Sequence, residues 1–382
     1  MSEDSATAPP FAQLRAGLTG KDLYDVISRS GYPFQATVAD TLRSAIAEHS
    51  KGALIQEEWG YVDTESGQTR AVDILAEVPL GSRKERNPLL GARPTLSLIL
   101  ECKQSDLPYV FFMRNNPPAS VIDFLQIAGT ESARMRVFSA NEEGAPGFSY
   151  YMTLHDVFGA WEFPFFEAPA PWAISLSKAV RKPKADLTGE EAYRSITLPL
   201  MKAADHLKAI TKKSGGHRHV LRVIVCAAVV RAPMIGVHLH EGQPNLIAFP
   251  WFRVSHLEPA KGQSGEMGPT GTVKYFDVVH EDHLNDYINV LMKSLNPLAD
   301  RMDGHAQEIL SGVGLCGPGD NTWEDLKPLP SEYEQYLEKE TWATISREIS
   351  SLTIGVTEGS PAPPPGHIGW VNPMEHQSDL QD

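Results

Sequence analysis

The run Val220–Val230 is apolar at every position but one, Arg222. Strand side chains alternate between two faces, so a run without polar alternation suits a strand covered on both sides of its sheet. Helices are the usual cover, and the neighbouring periodicities supply them. Phe34, Val38, Leu42, Ala45 and Ile46 recur at helical spacing and predict an amphipathic helix over Pro33–His49. Three β-branched or aromatic runs follow, Leu54–Val62, Arg70–Val78 and Thr95–Lys103, the first two joined by a hairpin loop at Asp63–Gly67. A second helix is predicted over Glu190–Lys213, with Thr188 as N-cap, acids in its first turn, lysines in its last and Gly215-Gly216 as its stop. Asn245–Val254 and Val273–Val279 read as further strands, and Asp282–Leu295 as a closing helix. No solenoid repeat is present, and this order predicts an α/β fold around a mixed central sheet flanked by helices.

With 382 residues, 42% apolar and 21% charged, the chain is long enough for two domains or one elaborated domain, and it is neither disordered nor fibrous. Cys102, Cys226 and Cys316 lie far apart, which excludes a CxxC zinc clasp or a disulfide framework and predicts a reducing, cytoplasmic setting. The first residues lack a basic segment followed by an apolar one, and no run approaches the roughly 18 apolar residues of a membrane span. A soluble, intracellular protein is expected.

A net charge of -14 argues against a chain whose whole surface binds a polyanion. The charge is unevenly spread. Residues 301–382 hold 14 acidic and 4 basic residues, a net of -10, together with the Pro-rich run Ser360–Gly366, and read as an acidic C-terminal extension. Residues 1–20 read as a flexible N-terminal arm, 21–300 as the main domain and 129–187 as an insertion in it. Between Lys178 and Arg218, ten Lys/Arg stand against four acids, a local balance of +6. There Lys178, Arg181, Lys182, Lys184, Lys202, Lys208, Lys212 and Lys213 read either as a solvated face or as a phosphate-contacting surface without sequence specificity.

The chemistry-bearing pattern lies at the end of the Thr95–Lys103 strand. Alternation puts Leu96, Leu98, Leu100 and Cys102 on one face and Glu101 with Lys103 on the other, so an acid and an amine stand side by side. Asp73 is a second carboxylate within an apolar strand, where an unpaired ion is costly. If the two strands pair, Asp73, Glu101 and the Cys102 carbonyl can hold one hard cation such as Mg²⁺, with Lys103 assisting an attacking water. The bland reading is an ion-pair cluster at a strand end.

Val72-Asp73 on one strand and Glu101-Cys102-Lys103 on the next resemble the PD-(D/E)xK, or restriction-endonuclease-like, nucleases. Mrr-type restriction enzymes and Holliday-junction resolvases are the nearest in look, with a helix opening like Gly31–Val38 ahead of the hairpin. The resemblance implies an αβββαβ core, Asp73 and Glu101 as ligands of Mg²⁺ or Mn²⁺, and Lys103 as the catalytic lysine. The implied activity is DNA cleavage by an endonuclease in bacterial restriction, phage defence or repair; a homodimer is expected where both strands are cut.

Two positions depart from the family pattern: Val72 replaces a proline, and Gln35 replaces an acid often found on the first helix. Glu58, its neighbour Glu57, or Glu48 further along the helix read either as replacement carboxylates or as surface acids. Gln126, in Val121–Ala128, reads either as the glutamine some relatives place on a helix flanking the site or as an ordinary helix residue. Pro108–Phe112 either flanks the substrate or packs in the core. The alternative function for the trio is a catalytically inactive nuclease-like module that binds nucleic acid or a protein. Gly312–Gly317 matches GxGxxG but reads as a loop, and the histidine pairs lack the partners of a zinc site.

Overall fold

The computed structural model describes residues 17–81, 92–114, 126–130, 134–141, 144–167, 172–211, 219–240, 242–258, 272–317, 323–331 and 333. It opens with helices α1 (Gly20–Arg29) and α2 (Tyr32–Ala47). Gly31 takes φ +87° ahead of α2, a left-handed turn that glycine adopts without strain, and Pro33 occupies the first turn, where its missing N–H is not needed. α2 buries Phe34, Val38, Ala39, Leu42, Ala45 and Ile46 along one face, as their spacing predicts.

Strands β1 (Leu54–Val62), β2 (Thr69–Pro79) and β3 (Ala92–Gln104) coincide with the three predicted runs. Then come β4 (Tyr109–Arg114), β5 (Gln126–Ala128), β6 (Arg134–Ala140), β7 (Pro146–Thr153), α3 (Leu154–Val157), α4 (Pro164–Glu167), β8 (Trp172–Lys182) and β9 (Lys184–Thr188). The predicted helix follows as α5 (Gly189–Ala192), a π turn at Tyr193–Thr197 and α6 (Leu198–Ile210), capped by Thr188. Pro199 explains the π turn: it has no N–H for the carbonyl four residues back, and the wider turn absorbs the defect. The chain ends its described course with β10 (His219–Arg231), β11 (Met234–His240), β12 (Gln243–Ile247), β13 (Trp251–Glu258), β14 (Thr272–His280), α7 (Leu284–Gly304), α8 (Ala306–Ser311) and β15 (Val313–Cys316).

Among the described residues, twelve strands form one mixed sheet in the order β1-β2-β3-β10-β14-β13-β8-β4-β11-β12, with β5 on β10 and β9 on β8. β15, β6 and β7 make a separate small sheet. β10 is the central strand that its sequence demands, parallel to β3 over its whole length and parallel to β14. Val223, Val225, Ala227 and Val229 face a core shared with α2 and α7. Ile224, Cys226, Ala228 and Val230 face a second core closed by α6. Next to it, Arg253 of β13 is fully buried opposite Asp277 of β14, with Tyr287 donating to the same carboxylate. No helix among the described residues is long and apolar enough to cross a membrane.

Three sequence expectations are corrected. Asn245–Val254 is not one strand: Pro250 cannot donate to a ladder, and the chain breaks into β12 and β13 around it. The closing helix does not stop before Pro297 but runs to Gly304, because Leu298, Ala299 and Met302 continue its buried stripe and outweigh the proline's cost of about 3 kcal/mol. Gly312–Gly317 is not a loop, since it contains β15, paired in parallel with β6. Gly314 is needed there for close packing: a Cβ at that position would lie 2.5 Å from the Leu326 side chain.

One irregularity shapes the front of the sheet. Ile55 and Trp59 are four residues apart on β1 and should share a face, yet Ile55 joins the α2–α7 core and Trp59 the α6 core. Across the ladder Ile74 and Val72 split in the same way. Both strands therefore turn over at the level of Glu58 and Asp73, the step the ladder skips between Glu57↔Ile74 and Trp59↔Val72, and Glu58 adopts φ +52°. A non-glycine residue in that region is strained by about 1 kcal/mol or more. Glu58→Gly relieves that strain at a cost of roughly 0.5–1 kcal/mol for glycine's greater freedom in the unfolded chain, so stability in urea unfolding is expected to be unchanged or raised by up to about 1 kcal/mol; a loss of about 1 kcal/mol or more would contradict the strain.

Candidate active site

Strand pairing builds the site. The β2–β3 ladder runs from Pro79↔Thr95 to Ile74↔Leu100, and the next step of the register sets Asp73 beside Glu101. On β3, Leu96, Leu98, Leu100 and Cys102 pack toward the α2–α7 core while Ile99 faces α6, so alternation aims Glu101 and Lys103 to the α6 side. The overturn at Asp73 directs its carboxylate at β3: the Cys102 N–H donates to Asp73 Oδ2 at 2.6 Å. A strand residue's N–H and C=O leave the chain on the same edge, so the Cys102 carbonyl also lies on the Asp73 side. From α2, the buried Gln35 amide donates to the Asp73 carbonyl at 3.0 Å.

Lys103 joins the two acids, with Nζ 2.5 Å from Glu101 Oε2 and 3.5 Å from Asp73 Oδ2. One ammonium therefore serves two carboxylates. Glu101 is only 3% exposed, and its carboxyl is pushed up to about 7 by burial, with the Asp73 charge adding to the shift and Lys103 opposing it. For Lys103 burial acts downward, but the Glu101 and Asp73 charges outweigh it and hold the ammonium above its usual value. Burial also raises the Cys102 thiol, so that residue offers its carbonyl and not a thiolate. Nearby, burial pushes the Tyr61 phenol up to about 12, with the Glu101 charge contributing to the shift.

The trio Asp73, Glu101 and Lys103 is thus brought together with Cys102 and Gln35. The other candidates divide. Glu58 lies at the step the β1–β2 ladder skips, level with Asp73, and its side chain is exposed. Glu57 is taken by Arg43 at 2.7 Å. Glu48 caps the far end of α2, 13 residues or about 20 Å along the helix from Gln35. Gln126 is not on a helix: β5 sets it opposite Ile224, four register steps or about 13 Å from the level of Glu101, because β10 offers an open ladder position there. Tyr109 and Phe111 pack in the core, with Phe111 stacked on Phe252 at 4.1 Å.

The basic stretch also divides. Lys178 pairs with Glu191 and Lys202 with Glu65, at 2.7 and 2.5 Å, whereas Arg181 and Lys184 are exposed at the β8–β9 turn. Lys208 lies on α6; Lys212, Lys213 and the Lys182 side chain lie outside the described residues. Among the described residues no group of three or more His, Cys, Asp or Glu is gathered for a metal. The donor set here is two carboxylates with a main-chain carbonyl on the same side, which is oxygen-rich and leaves positions for water, the preference of Mg²⁺. No family model, curated protein or solved structure matches the chain.

The raised Glu101 value has a pH consequence. The folded protein holds this proton more tightly than the unfolded chain, so the resulting stabilisation is present below about 4.5 and is lost as pH rises through 7. Glu101→Gln removes this titration. Relative to wild type it is expected to gain on the order of 3 kcal/mol between about pH 4 and about pH 8, measured by urea unfolding in EDTA. Parallel pH profiles for the two proteins would contradict the assignment.

Proposed function

We propose that the protein is a Mg²⁺-dependent nuclease of the PD-(D/E)xK type that hydrolyses phosphodiester bonds in DNA. The observation that carries this reading is the sharing of one ammonium by two adjacent carboxylates, one of them buried, at the end of a central strand. That arrangement is short of positive charge, and a divalent cation on Asp73, Glu101 and the Cys102 carbonyl offsets the deficit. The donor chemistry fits a hard cation. When bound, Mg²⁺ lowers the pKa of a coordinated water and neutralises charge on the phosphate.

The chain's own groups account for the rest. Above pH 7 Glu101 loses its proton and presents a full charge beside Asp73. Lys103 stays protonated, orients the attacking water through a hydrogen bond and offsets negative charge that builds on the phosphate. Gln35 and the Cys102 N–H hold Asp73 from its backbone and its carboxylate respectively. Tyr61 keeps its hydroxyl proton and donates it to the Pro199 carbonyl, tying β1 to α6 on the Glu101 side.

Cleavage of plasmid and linear duplex in Mg²⁺ and in Mn²⁺ tests the reading. Asp73→Asn, Glu101→Gln and Lys103→Ala are each expected to lower kcat/KM at least about a hundredfold while retaining the fold. Undiminished cleavage by all three would overturn the site. A wild type that binds DNA but cuts none with either metal would favour the inactive binding module.

A further inference from the structure

The β8–β9 hairpin leaves the sheet at the end where Asp73, Glu101 and Lys103 lie. Beyond Lys103 and Val230 the chains of β3 and β10 stay together: Ser105 N–H bonds the Arg231 carbonyl, Tyr109 N–H the Pro233 carbonyl, and Tyr109 pairs with Met234. β8 runs antiparallel to β4, passes Tyr109 at Lys178, and bonds Pro108 through Ala179 N–H. It then continues four residues past the sheet, about 13 Å, before β9 returns to Thr188 and the helix over the α6 side. Lys103 is near enough for its charge to act on the Tyr109 hydroxyl.

Residues 183–187 and Arg181 are exposed, so burial does not hold the ribbon out. The register sets Lys182 opposite Lys184 across Pro183, so the ribbon closes in a turn of one residue. Among the described residues neither Arg181 nor Lys184 has a carboxylate partner, in contrast to Lys178 at the root, which pairs with Glu191. The extension is the size and shape of a two-stranded ribbon that fits a B-DNA major groove, about 12 Å wide and about 8.5 Å deep.

We propose that the β8–β9 hairpin seats in the major groove of double-stranded DNA, with Arg181 and Lys184 on its phosphates, and so selects duplex over single strand for the adjacent site. This rests on the nuclease reading for its choice of ligand. Single-stranded DNA lacks the groove that the ribbon fills, and bases splayed for stacking call for aromatic side chains, which residues 178–188 do not contain.

Fluorescence anisotropy in EDTA, with a short duplex and the single strand of the same sequence, tests this. Arg181→Ala with Lys184→Ala is expected to weaken duplex binding about tenfold or more and to flatten the slope of log affinity against log salt by about two. Single-strand affinity and the thermal midpoint are expected to stay unchanged, and the charge-preserving pair Arg181→Lys with Lys184→Arg to restore duplex binding. Unchanged duplex affinity, or equal loss on both nucleic acids, would overturn the proposal. If wild type cleaves no DNA yet binds duplex through these two residues, the nuclease reading fails and the hairpin assignment stands. If it cleaves while the double alanine variant keeps its duplex affinity, the hairpin assignment alone fails.

Discussion

Two carboxylates and one ammonium at the end of a buried strand form the interaction on which the rest of this structure turns. Glu101 is held in a place where water cannot solvate it, and Lys103 at 2.5 Å offsets only part of the cost. The remainder appears as a carboxyl that keeps its proton up to about pH 7. One base between two acids also occurs on the surface, where Arg43 meets Asp40 and Glu57, but there water solvates the excess charge; at Glu101 it cannot. The second acid, Asp73, lies at the overturn of β1 and β2, where Glu58 takes a strained conformation.

The surrounding fold keeps that arrangement fixed. β3 is locked along its full length to β10, whose two apolar faces anchor it between the α2–α7 core and the α6 core. α2 reaches Asp73 through Gln35, and the Cys102 N–H takes the Asp73 carboxylate where a ladder partner would otherwise stand. On the other side, the continuation of β3 into β4 and of β10 into β11 brings β8 to the same end of the sheet. Rigid elements thus meet at a charged edge, and the exposed β8–β9 ribbon with Arg181 and Lys184 projects from it.

Much of the site was legible because it depends on local alternation. The strand Thr95–Lys103 and the pairing of Glu101 with Lys103 follow from period two, and the apolar context of Asp73 marked it as a group needing partners. Gln35 was singled out only by the family resemblance, as the residue standing where an acid is often found on the first helix; its bond to the Asp73 backbone was not legible in the sequence. Other features depend on contacts far along the chain, and no periodicity reports them. Arg253 finds Asp277 only when β13 pairs with β14, Gln126 becomes a strand residue only because β10 has an unpaired stretch, and the Gly312–Gly317 run becomes a strand only when β6 is beside it. The basic segment Lys178–Arg218 reads as one patch in sequence, yet folding sends its members to a hairpin and a helix and neutralises Lys178 and Lys202.

The central claim is that Asp73 and Glu101 form a cation site whose missing charge Lys103 supplies only in part. Calorimetric titration of Mn²⁺ into the metal-free protein at pH values below and above 7 tests it directly. The account predicts a single site, tighter at the higher pH, with about one proton released on binding at the lower pH and with binding abolished in Asp73→Asn. No binding above pH 7, or binding that is independent of pH and survives Asp73→Asn, would contradict it.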